Sequence, residues 1–243
     1  MNVEEYATMY RVENQHWWYQ GLRNMLAASW RRHVAVAAPR VLDAGCGTGA
    51  TLAAWTEDAH SFGIDISPHA LHYCRVRGLT RTTRASVTAL PFPPSSFDIA
   101  LSLDVIQHQA VPDKSLPLRE IHRVLVSGGI LFINVPAYQW LHSSHDTAVA
   151  TDHRFTKSEL LSLLAENGFE PIEITYWNTL LFPPATIVRL WRKVRPPEGS
   201  DLASEPGKTS STLFGGVLAC ERAVIRLAPL PFGLSIFAAA RKK

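Results

Sequence analysis

The sequence predicts an α/β fold built on a doubly wound, mostly parallel sheet. Two observations support this: apolar runs alternate with amphipathic helical patterns, and each run is short enough for a buried strand. The strand-like runs lie near 40–44, 61–65, 97–103 and 129–135, and the helical patterns near 68–77 and 114–126. Such alternation is typical of βαβ units, whose crossover helices cover both faces of a parallel sheet.

The other elements follow in chain order. A short helix is expected over about 50–57, directly after the first strand. Further on, a helix over 156–166 stops at Gly168 and precedes 171–176, where apolar and polar residues alternate as in a strand. The last apolar run, 233–240, is expected to form the final strand.

The composition suits one α/β domain with insertions. The chain has 243 residues, 47% of them hydrophobic, and a net charge of +3, which is too small to indicate a nucleic-acid partner. Cys46, Cys74 and Cys220 are scattered without metal-site spacing and favour a reducing compartment. Because neither a signal peptide nor a membrane-spanning run is recognisable, we expect a cytoplasmic protein.

Residues 41–49 are the most informative part of the sequence. They read Val-Leu-Asp-Ala-Gly-Cys-Gly-Thr-Gly, an apolar strand that ends in Asp43 and breaks into three alternate glycines. Gly45, Gly47 and Gly49 have no Cβ, so the turn can adopt positive φ and let a ligand approach the backbone. The run therefore predicts the floor of a nucleotide-type pocket.

The spacing of these residues indicates which kind of nucleotide binds. Dinucleotide sites use G-x-G-x-x-G, whereas this chain has G-x-G-x-G after an acid that would repel a pyrophosphate. A second apolar run ends at Asp65, 22 residues after Asp43, where an acid can accept hydrogen bonds from a ribose diol. We therefore expect a nucleoside whose tail is positively charged and lacks phosphate.

Three further motifs follow the glycine run. They are Gly63-Ile64-Asp65-Ile66-Ser67-Pro68, then Leu90-Pro91-Phe92 with Ser96-Phe97-Asp98, then Arg123-Val124-Leu125 with Ser127-Gly128-Gly129. In order and spacing, the four motifs resemble the class I S-adenosylmethionine-dependent methyltransferases over roughly residues 39–177. The resemblance implies a Rossmann-like, seven-stranded sheet with an antiparallel last strand, S-adenosylmethionine as cofactor, and methyl transfer.

The resemblance also implies roles for individual residues. The glycine turn would surround the methionine part of the cofactor, Asp43 would orient its amino group, and Asp65 would hold the ribose hydroxyls. Ile66 would pack on the adenine. Many relatives have an acid where this chain has Ser86, so the Val87 amide is the safer adenine contact. The predicted cofactor-binding residues are Asp43, Gly45, Cys46, Gly47, Gly49, Asp65, Ile66, Ser86, Val87, Leu103, Tyr10 and Trp18.

The loops after the fourth and fifth strands are expected to hold the methyl acceptor, because ligands bind outside the carboxyl ends of parallel strands. A histidine near neutrality is a suitable general base, and Asp146 beside His145 could fix its tautomer. The candidate catalytic residues are His108, His142, His145 and Asp146, with ordinary polar loop residues as the alternative. His142, His145 and Asp146, together with His153, are residue types that can bind a metal ion. Their spacing does not demand a metal, and none is expected.

Two segments outside the common core are expected to decide specificity. The predicted segments are a helical lid at 1–37, the core at 38–177, a helical cap at 178–230, and a last strand with its tail at 231–243. The first contains His16-Trp17-Trp18, which resembles the opening of one bacterial subgroup of these enzymes, and Tyr10 or Trp18 could lie near the sulfonium. The alternative for the stripe from Trp17 to Trp30 is a core-facing helix.

The cap is expected to contain apolar helices at 180–194 and 212–227, joined by a polar loop at 196–209. The aromatic residues expected to line the acceptor pocket are Tyr138, Trp140, Trp177 and Phe182. A packed helical cap, a homodimer face and a transient membrane contact are all compatible with so apolar a segment.

Taken together, these features predict a methyltransferase that acts on an oxygen or nitrogen of a small molecule. An alternative is C-methylation of a lipophilic isoprenoid or quinone-like acceptor, which the apolar cap would suit. A different class is a non-catalytic, cofactor-binding partner subunit. The glycines, Asp43 and Asp65 argue for an intact cofactor site, but they carry no information about the acceptor.

Overall fold

A computed structural model describes residues 3–55, 60–194 and 208–243. The strands in this part of the chain are β1 Arg40–Ala44, β2 His60–Asp65, β3 Thr82–Arg84, β4 Phe97–Leu103, β5 Leu125–Pro136, β6 Phe169–Trp177 and β7 Ser235–Lys242. They form one seven-stranded sheet in the order β3-β2-β1-β4-β5-β7-β6. β1 to β5 run parallel, whereas β7 lies antiparallel between β5 and β6. The predicted α/β fold with an antiparallel last strand is confirmed.

The helices flank this sheet. They are α1 Val3–Val12, α2 Trp17–His33, α3 Ala50–Ala53, α4 Pro68–Val76, α5 Ser115–Val124, α6 Ser144–Ala148, α7 Lys157–Glu166, α8 Phe182–Val194 and α9 Lys208–Ile225, with a 3-10 helix at Gln139–Leu141. Local sequence sets several ends: Ser67 caps α4 ahead of Pro68, and Thr156 and Glu159 form a capping box on α7. Among the described helices, none is both long and apolar enough to cross a membrane.

The core lies on both faces of the sheet, because side chains alternate between the faces and both are covered by helices. Leu42 of β1 belongs to a buried cluster with Leu118 of α5 and residues of α7. The neighbouring Val41 belongs to a second buried cluster with Leu26 of α2 and Leu218 of α9. The N-terminal and cap helices therefore share one face of the sheet.

The stripe of aromatic and apolar residues from Trp17 to Trp30 lies on α2, the first long helix. Leu22 and Met25 of α2 are buried in the second cluster, and Trp17 and Trp30 pack against it. The core-facing interpretation of this stripe is confirmed. Gly21 lets α9 approach closely, since a Cβ there would lie 2.6 Å from Leu218 Cδ1.

Several predicted boundaries differ from the observed ones. α3 ends at Ala53, so the helix is shorter than the predicted 50–57, whose last residues lie outside the described part. β7 begins at Ser235 rather than at 233, and the third strand, which was expected without assigned residues, is the three-residue β3. Most of the expected loop at 196–209 also lies outside the described residues.

The topology fixes where a ligand can bind. The strand order reverses direction between β1 and β4, which are hydrogen-bonded neighbours in the middle of the sheet. The crossover helices leave these two strands toward opposite sides, and a crevice opens at their carboxyl ends. The glycine turn after β1 and the loop after β4 both face this crevice.

Candidate active site

A cavity of about 590 Å³ occupies the carboxyl edge of the sheet. Its floor is formed by the ends of β1 and β2 and by the glycine turn. One wall comes from the segment around α1 and α2, and the opposite wall comes from the loops after β4 and β5 with part of α8. A cavity of this size suits a cofactor-sized molecule together with part of a second ligand.

The glycine turn has the conformation that the sequence predicts. Gly45, Gly47 and Gly49 have φ of 99°, 53° and 88°, which an L side chain rarely adopts. The amides of Gly45 and Cys46 donate to Ile64 O and thereby join the turn to β2. A Cβ on Gly45 would lie 2.4 Å from Val105 Cγ2, so the turn packs directly against the residue that follows Asp104.

Acidic side chains crowd the floor next to this turn. Asp43 is only 2% exposed, and burial, together with the nearby Asp65 and Glu13 carboxylates, raises its pKa to about 7. Burial also raises the pKa of Asp65, although the amides of Gly47 and Ser67 donate to its two oxygens at 3.0 and 2.8 Å. Within the described chain Asp43 has no ion-pair partner, so the floor is arranged to receive a positively charged group.

The N-terminal wall is fastened to the floor by a latch that consists of Glu13, Thr48 and Arg77. The buried Glu13 carboxylate pairs with the Arg77 guanidinium and accepts a hydrogen bond from the Thr48 hydroxyl. Tyr10 stacks on Tyr73 with ring centroids 4.7 Å apart, and Arg77 lies over the Tyr10 ring. Side chains of this wall that line the cavity include Tyr6, Met9, Glu13, His16, Trp17, Trp18, Tyr19 and Leu22.

The opposite wall is polar. Asp104, Gln107 and His108 come from the loop after β4, and Asp146, Arg154 and Arg189 from later segments. Gln107 is 3% exposed, and its Oε1 has no hydrogen-bond partner among the described residues. Desolvation lowers the pKa of His108, so this imidazole is neutral at physiological pH.

Comparison with known proteins identifies this arrangement. Residues 42–133, from β1 into β5, match a family model described as a methyltransferase domain. A malonyl-(acyl-carrier protein) O-methyltransferase from Dechloromonas aromatica is 33% identical over 153 residues, which cover 57% of this chain and 55% of that protein. Residues 42–133 therefore form a methyltransferase domain.

A second curated relative and one solved structure extend the comparison. An ajmaline N-methyltransferase from Rauvolfia serpentina is 26% identical over 170 residues, covering 61% of this chain and 58% of that enzyme. A solved structure of a possible histamine N-methyltransferase from Thermotoga maritima has the same fold, with a TM-score of 0.60 at 19% identity over 99% of this chain and 96% of that one. The matched part of this chain thus spans a little over half the length of the curated relatives.

Class I methyltransferases use S-adenosylmethionine, and the residues on the floor fit it. The unpaired Asp43 carboxylate matches an ammonium group, and Asp65 retains acceptor capacity for ribose hydroxyls beside its two amide bonds. Ile66, which is 53% exposed, lines the cavity together with Ser86 and Val87. Ser86 Oγ already bonds Thr88, which leaves the backbone near Val87 as the freer adenine contact.

Most of the predicted cofactor residues meet at this cavity, with two exceptions. Gly45, Cys46, Gly47, Leu103 and Trp18 line it, as do the residues of the floor. Gly49 lies outside the lining, where its role is close packing: a Cβ there would lie 2.6 Å from Leu79 Cδ1. Tyr10 is also outside, because its ring is held between Tyr73 and Arg77. Trp18 lines the cavity and also packs against the second buried cluster, and a lid role for it stays a prediction.

The catalytic candidates are only partly brought together. His108 lines the cavity, whereas the ring of His142 lies outside and bonds Thr151 O at 3.1 Å. Asp146 lines it too, but its carboxylate is held by Arg154 at 2.7 Å and by the Ser143 amide at 2.9 Å. It is therefore an ion-pair partner instead of a residue that fixes a histidine tautomer.

The side chain of His145 lies outside what the structure describes, so a catalytic role for it remains a prediction from the sequence.

The predicted acceptor aromatics lie elsewhere. Tyr138, Trp140 and Phe182 form a cluster of their own, with Tyr138 and Phe182 centroids 5.8 Å apart, and none of them is part of the cavity lining. Trp177 is 1% exposed in the core, where its Nε1 donates to Asn134. Aromatic composition alone does not distinguish a pocket wall from a packed cluster.

Sequence reasoning placed Asp104 and Gln107 in the loop that faces the methyl group without giving them roles, and it missed Glu13, Arg154 and Arg189. A site role for Asp104 could have been predicted from the sequence, because this acid directly follows an apolar strand, much as Asp43 and Asp65 end theirs. Glu13, Arg154 and Arg189 carried no such signal, because their positions depend on contacts between segments distant in sequence.

Proposed function

We propose that this chain is an S-adenosylmethionine-dependent methyltransferase that acts on an oxygen or nitrogen atom of a small molecule. The observation that carries the proposal is the continuity of the cavity. The acidic floor that fits the cofactor and the polar wall with Asp104, Gln107 and His108 line the same space. A donor on the floor therefore faces an acceptor on the wall without an intervening barrier.

In this proposal the chain binds the cofactor through residues already in place. Asp43 holds the ammonium group, Asp65 the ribose hydroxyls, and the Ile66 side chain with the Val87 backbone the adenine. When bound, the sulfonium cofactor supplies an activated methyl group. The chain contributes alignment of the acceptor with that methyl and exclusion of water by the N-terminal wall.

The acceptor wall suits a molecule with an O–H or N–H group. Gln107 presents an amide whose oxygen is unpaired within the described chain, and His108 has Nδ1 3.3 Å from Ala150 O. If that nitrogen carries the proton, Nε2 is left to accept a hydrogen bond from the acceptor. The two relatives compared above are named O- and N-methyltransferases, which favours transfer to oxygen or nitrogen.

Calorimetry and a labelling screen test this function. Titration with S-adenosylmethionine and S-adenosylhomocysteine should give one site per chain, and methyl-labelled cofactor should label members of a panel of small carboxylic acids, phenols and amines. Absence of binding by both nucleosides would overturn the proposal. Binding without label transfer to any acceptor, protein or lipid would favour the non-catalytic alternative.

We also propose that the cap contacts amphipathic molecules. Ile187, Val188 and Trp191 of α8 are 68%, 46% and 63% exposed, and Arg189 belongs to the same helix. Such a face favours an apolar surface bordered by anionic groups. Co-sedimentation of the chain with anionic lipid vesicles should fall when Ile187 and Trp191 are both changed to Ser. Light scattering of the same variant should show whether the change converts a homodimer to a monomer.

A cytoplasmic location completes the proposal. It rests on the cysteines, since Cys46, Cys74 and Cys220 are all free thiols in the structure. Fractionation of cells that produce the full chain with a small C-terminal tag would test it, and recovery outside the cytoplasm would contradict it.

A further inference from the structure

Asp104 occupies an unusual position at the end of β4. Its φ is +58°, in the left-handed region, which costs a non-glycine residue about 1 kcal/mol or more. Its side chain is partly buried and lines the cavity. The next residue, Val105, packs against Gly45 of the cofactor turn. The strained backbone therefore places a carboxyl group beside the turn where the methyl donor is proposed to bind.

Two buried side chains hold this carboxyl group in place. Asn134 Nδ2 donates to Asp104 Oδ2 at 2.9 Å, and Trp177 Nε1 donates to Asn134 Oδ1 at 2.8 Å. An indole N–H can only donate, so it fixes the Asn134 amide with its NH₂ group toward the carboxylate. Asp104 Oδ1 has no hydrogen-bond partner among the described residues. One oxygen is thus anchored, and the other is available to a ligand.

The groups that face Asp104 come from several elements. Arg154 acts on it electrostatically from the loop before α7, and Tyr19 of α2 and the His108 imidazole lie close by. Burial raises the pKa of Asp104 to about 7, against the lowering effects of Asn134 and Arg154. A carboxyl group in this range changes its protonation state near physiological pH, as a general base must.

We propose that Asp104 is the proton acceptor for methyl transfer and that Asn134 and Trp177 are its positioning residues. This inference rests on the proposed function. The acceptor's O–H or N–H proton passes to Asp104 Oδ1 as a lone pair of the acceptor atom forms a bond to the methyl carbon. The carbon–sulfur bond breaks with its electron pair remaining on sulfur, and Asp104 later releases the proton to water.

The other candidate bases are less suited to this role. Asp146 is committed to Arg154 through two hydrogen bonds of 2.9 and 2.7 Å, which hold its pKa below the ordinary value despite burial. His108 is oriented only by contacts with the backbone of Ala150 and Asp104, whereas the Asp104 carboxylate is held by the Asn134 side chain and its backbone amide donates to Asn134 O at 2.9 Å. Asp104 is therefore the better-positioned base, and His108 serves to orient the acceptor.

A titration that needs no acceptor tests the first half of the inference. Carbon-13 NMR of the full chain labelled at aspartate carboxyls should show one resonance, absent in Asp104→Asn, with a midpoint near pH 7. Asn is a suitable replacement because it tolerates positive φ and has the same shape. A midpoint near 4 would overturn the inference.

The titration midpoint of Asp104 also tests the positioning role of Asn134 and Trp177. Trp177→Phe keeps an aromatic ring in the core but removes the N–H donor that orients Asn134. The Asp104 midpoint should then rise by about 0.4 to 1 unit, since a hydrogen bond to its charged form is weakened. An unchanged midpoint in a folded variant would remove Trp177 and Asn134 from this role.

Methyl transfer tests the second half, with His108→Gln as the matched comparison. With any acceptor found in the labelling screen, Asp104→Asn should lower kcat by about 100-fold or more and abolish the rise in rate through pH 7, while retaining cofactor binding. His108→Gln should retain that rise. If the rise is lost in His108→Gln and kept in Asp104→Asn, the inference is wrong although the proposed function stands. Failure of the wild-type chain to bind cofactor or label any acceptor would instead overturn the function.

Discussion

At the scale of single residues, the site is characterised by acids that terminate or directly follow apolar strands. Asp43, Asp65 and Asp104 all lie at the carboxyl edge of the sheet, and burial raises the pKa of each. In the chain by itself this arrangement is unfavourable, because buried carboxylates without a cation resist ionisation. Binding of a positively charged ligand removes that penalty at Asp43, so affinity and protonation are coupled there.

The first prediction concerns this coupling. With a pKa of about 7 in the ligand-free chain, Asp43 is half protonated at pH 7, and a bound ammonium group stabilises its charged form. Binding of S-adenosylhomocysteine at pH 7 should therefore release about 0.5 proton, measured by calorimetry in buffers of different ionisation enthalpy. Asp43→Asn should abolish the release and weaken binding by about 10- to 100-fold.

Glu170→Gln is the matched control for that experiment. Glu170 is an exposed acid on β6, outside the cavity lining. Its replacement should leave both the proton release and the affinity unchanged. Persistence of the release in Asp43→Asn would mean that another group, such as Asp65, binds the ammonium.

The sequence predicts some of these residues and not others for a physical reason. Asp43 and Asp65 were found because a strand end and a glycine turn are local patterns, and local patterns are visible in one chain. The ion pair of Asp146 with Arg154 was not found, because it forms across a turn whose geometry no short pattern specifies. Trp177 was assigned to the acceptor for its ring, yet its position on β6 directs it into the core.

At the scale of elements, the glycine turn before α3 tolerates little change. Gly49 has φ +88°, and a Cβ there would lie 2.6 Å from Leu79 Cδ1 and 2.9 Å from Cys74 Sγ. Gly49→Ala should reduce the free energy of unfolding by about 2 to 4 kcal/mol, from backbone strain and overlap together. Chemical denaturation followed by circular dichroism measures this.

A second glycine, Gly215, serves as the comparison for Gly49. Gly215 lies within α9, and a Cβ there would meet no atom within 4 Å. Gly215→Ala should raise the free energy of unfolding by up to about 1 kcal/mol, because alanine is the better helix former. Similar effects of the two substitutions would contradict the packing role assigned to Gly49.

The latch of Glu13, Thr48 and Arg77 gives the next prediction. Glu13→Gln removes a buried ion pair that joins the N-terminal wall to the floor. Opening of the wall then becomes easier by about 1 to 2 kcal/mol, so the affinity for S-adenosylhomocysteine should fall by about 5- to 30-fold. Hydrogen exchange of α1 amides in the ligand-free chain should accelerate as well. Glu4→Gln, an exposed acid on the same helix, should alter neither.

Element prediction succeeded where the pattern was long and failed where it was short. β4 and β5 are buried apolar runs, and both were expected close to their observed places. β3 has three residues that are half-buried or exposed, so it carries no apolar signal, and only its pairing with β2 makes it a strand. α3 was expected to extend to residue 57, but it ends at Ala53, and residues 54 and 55 are not helical.

At the scale of the whole molecule, the cavity is assembled from parts that lie far apart in sequence. α1 and α2 close one side, and Arg189 of the cap reaches the other, 3.9 Å from Asp146 Oδ2. Glu221 of α9 accepts hydrogen bonds from the Asn178 and Leu180 amides, which ties the cap to the end of β6. Lid, sheet and cap therefore meet around one space, and ligand binding should stabilise all three.

The same architecture makes stability depend on pH. Asp43 and Asp104 have pKa values of about 7 in the folded chain, against a usual 3.8. Between those values the folded state binds more protons than the unfolded state, so these two groups make the free energy of unfolding fall as pH rises. His16, His108 and His122, whose pKa values burial lowers, act in the opposite sense, and their contribution declines as the unfolded imidazoles, with a pKa of about 6.5, lose their protons.

Comparison of the wild-type chain with its Asn variants from about pH 6.5 to 7.5 isolates the two carboxyl groups, because the contribution of the histidines is common to all of these chains. In this range the ligand-free chain should lose stability with rising pH, and the midpoint of its thermal unfolding should decrease. The decrease should be smaller in Asp43→Asn and smaller still in the double variant with Asp104→Asn, because neither replacement side chain ionises. Saturating S-adenosylhomocysteine should also reduce the decrease, since the bound ammonium stabilises ionised Asp43. A midpoint that rises with pH across this window in the wild-type chain would show that the buried acids are not protonated in the absence of ligand.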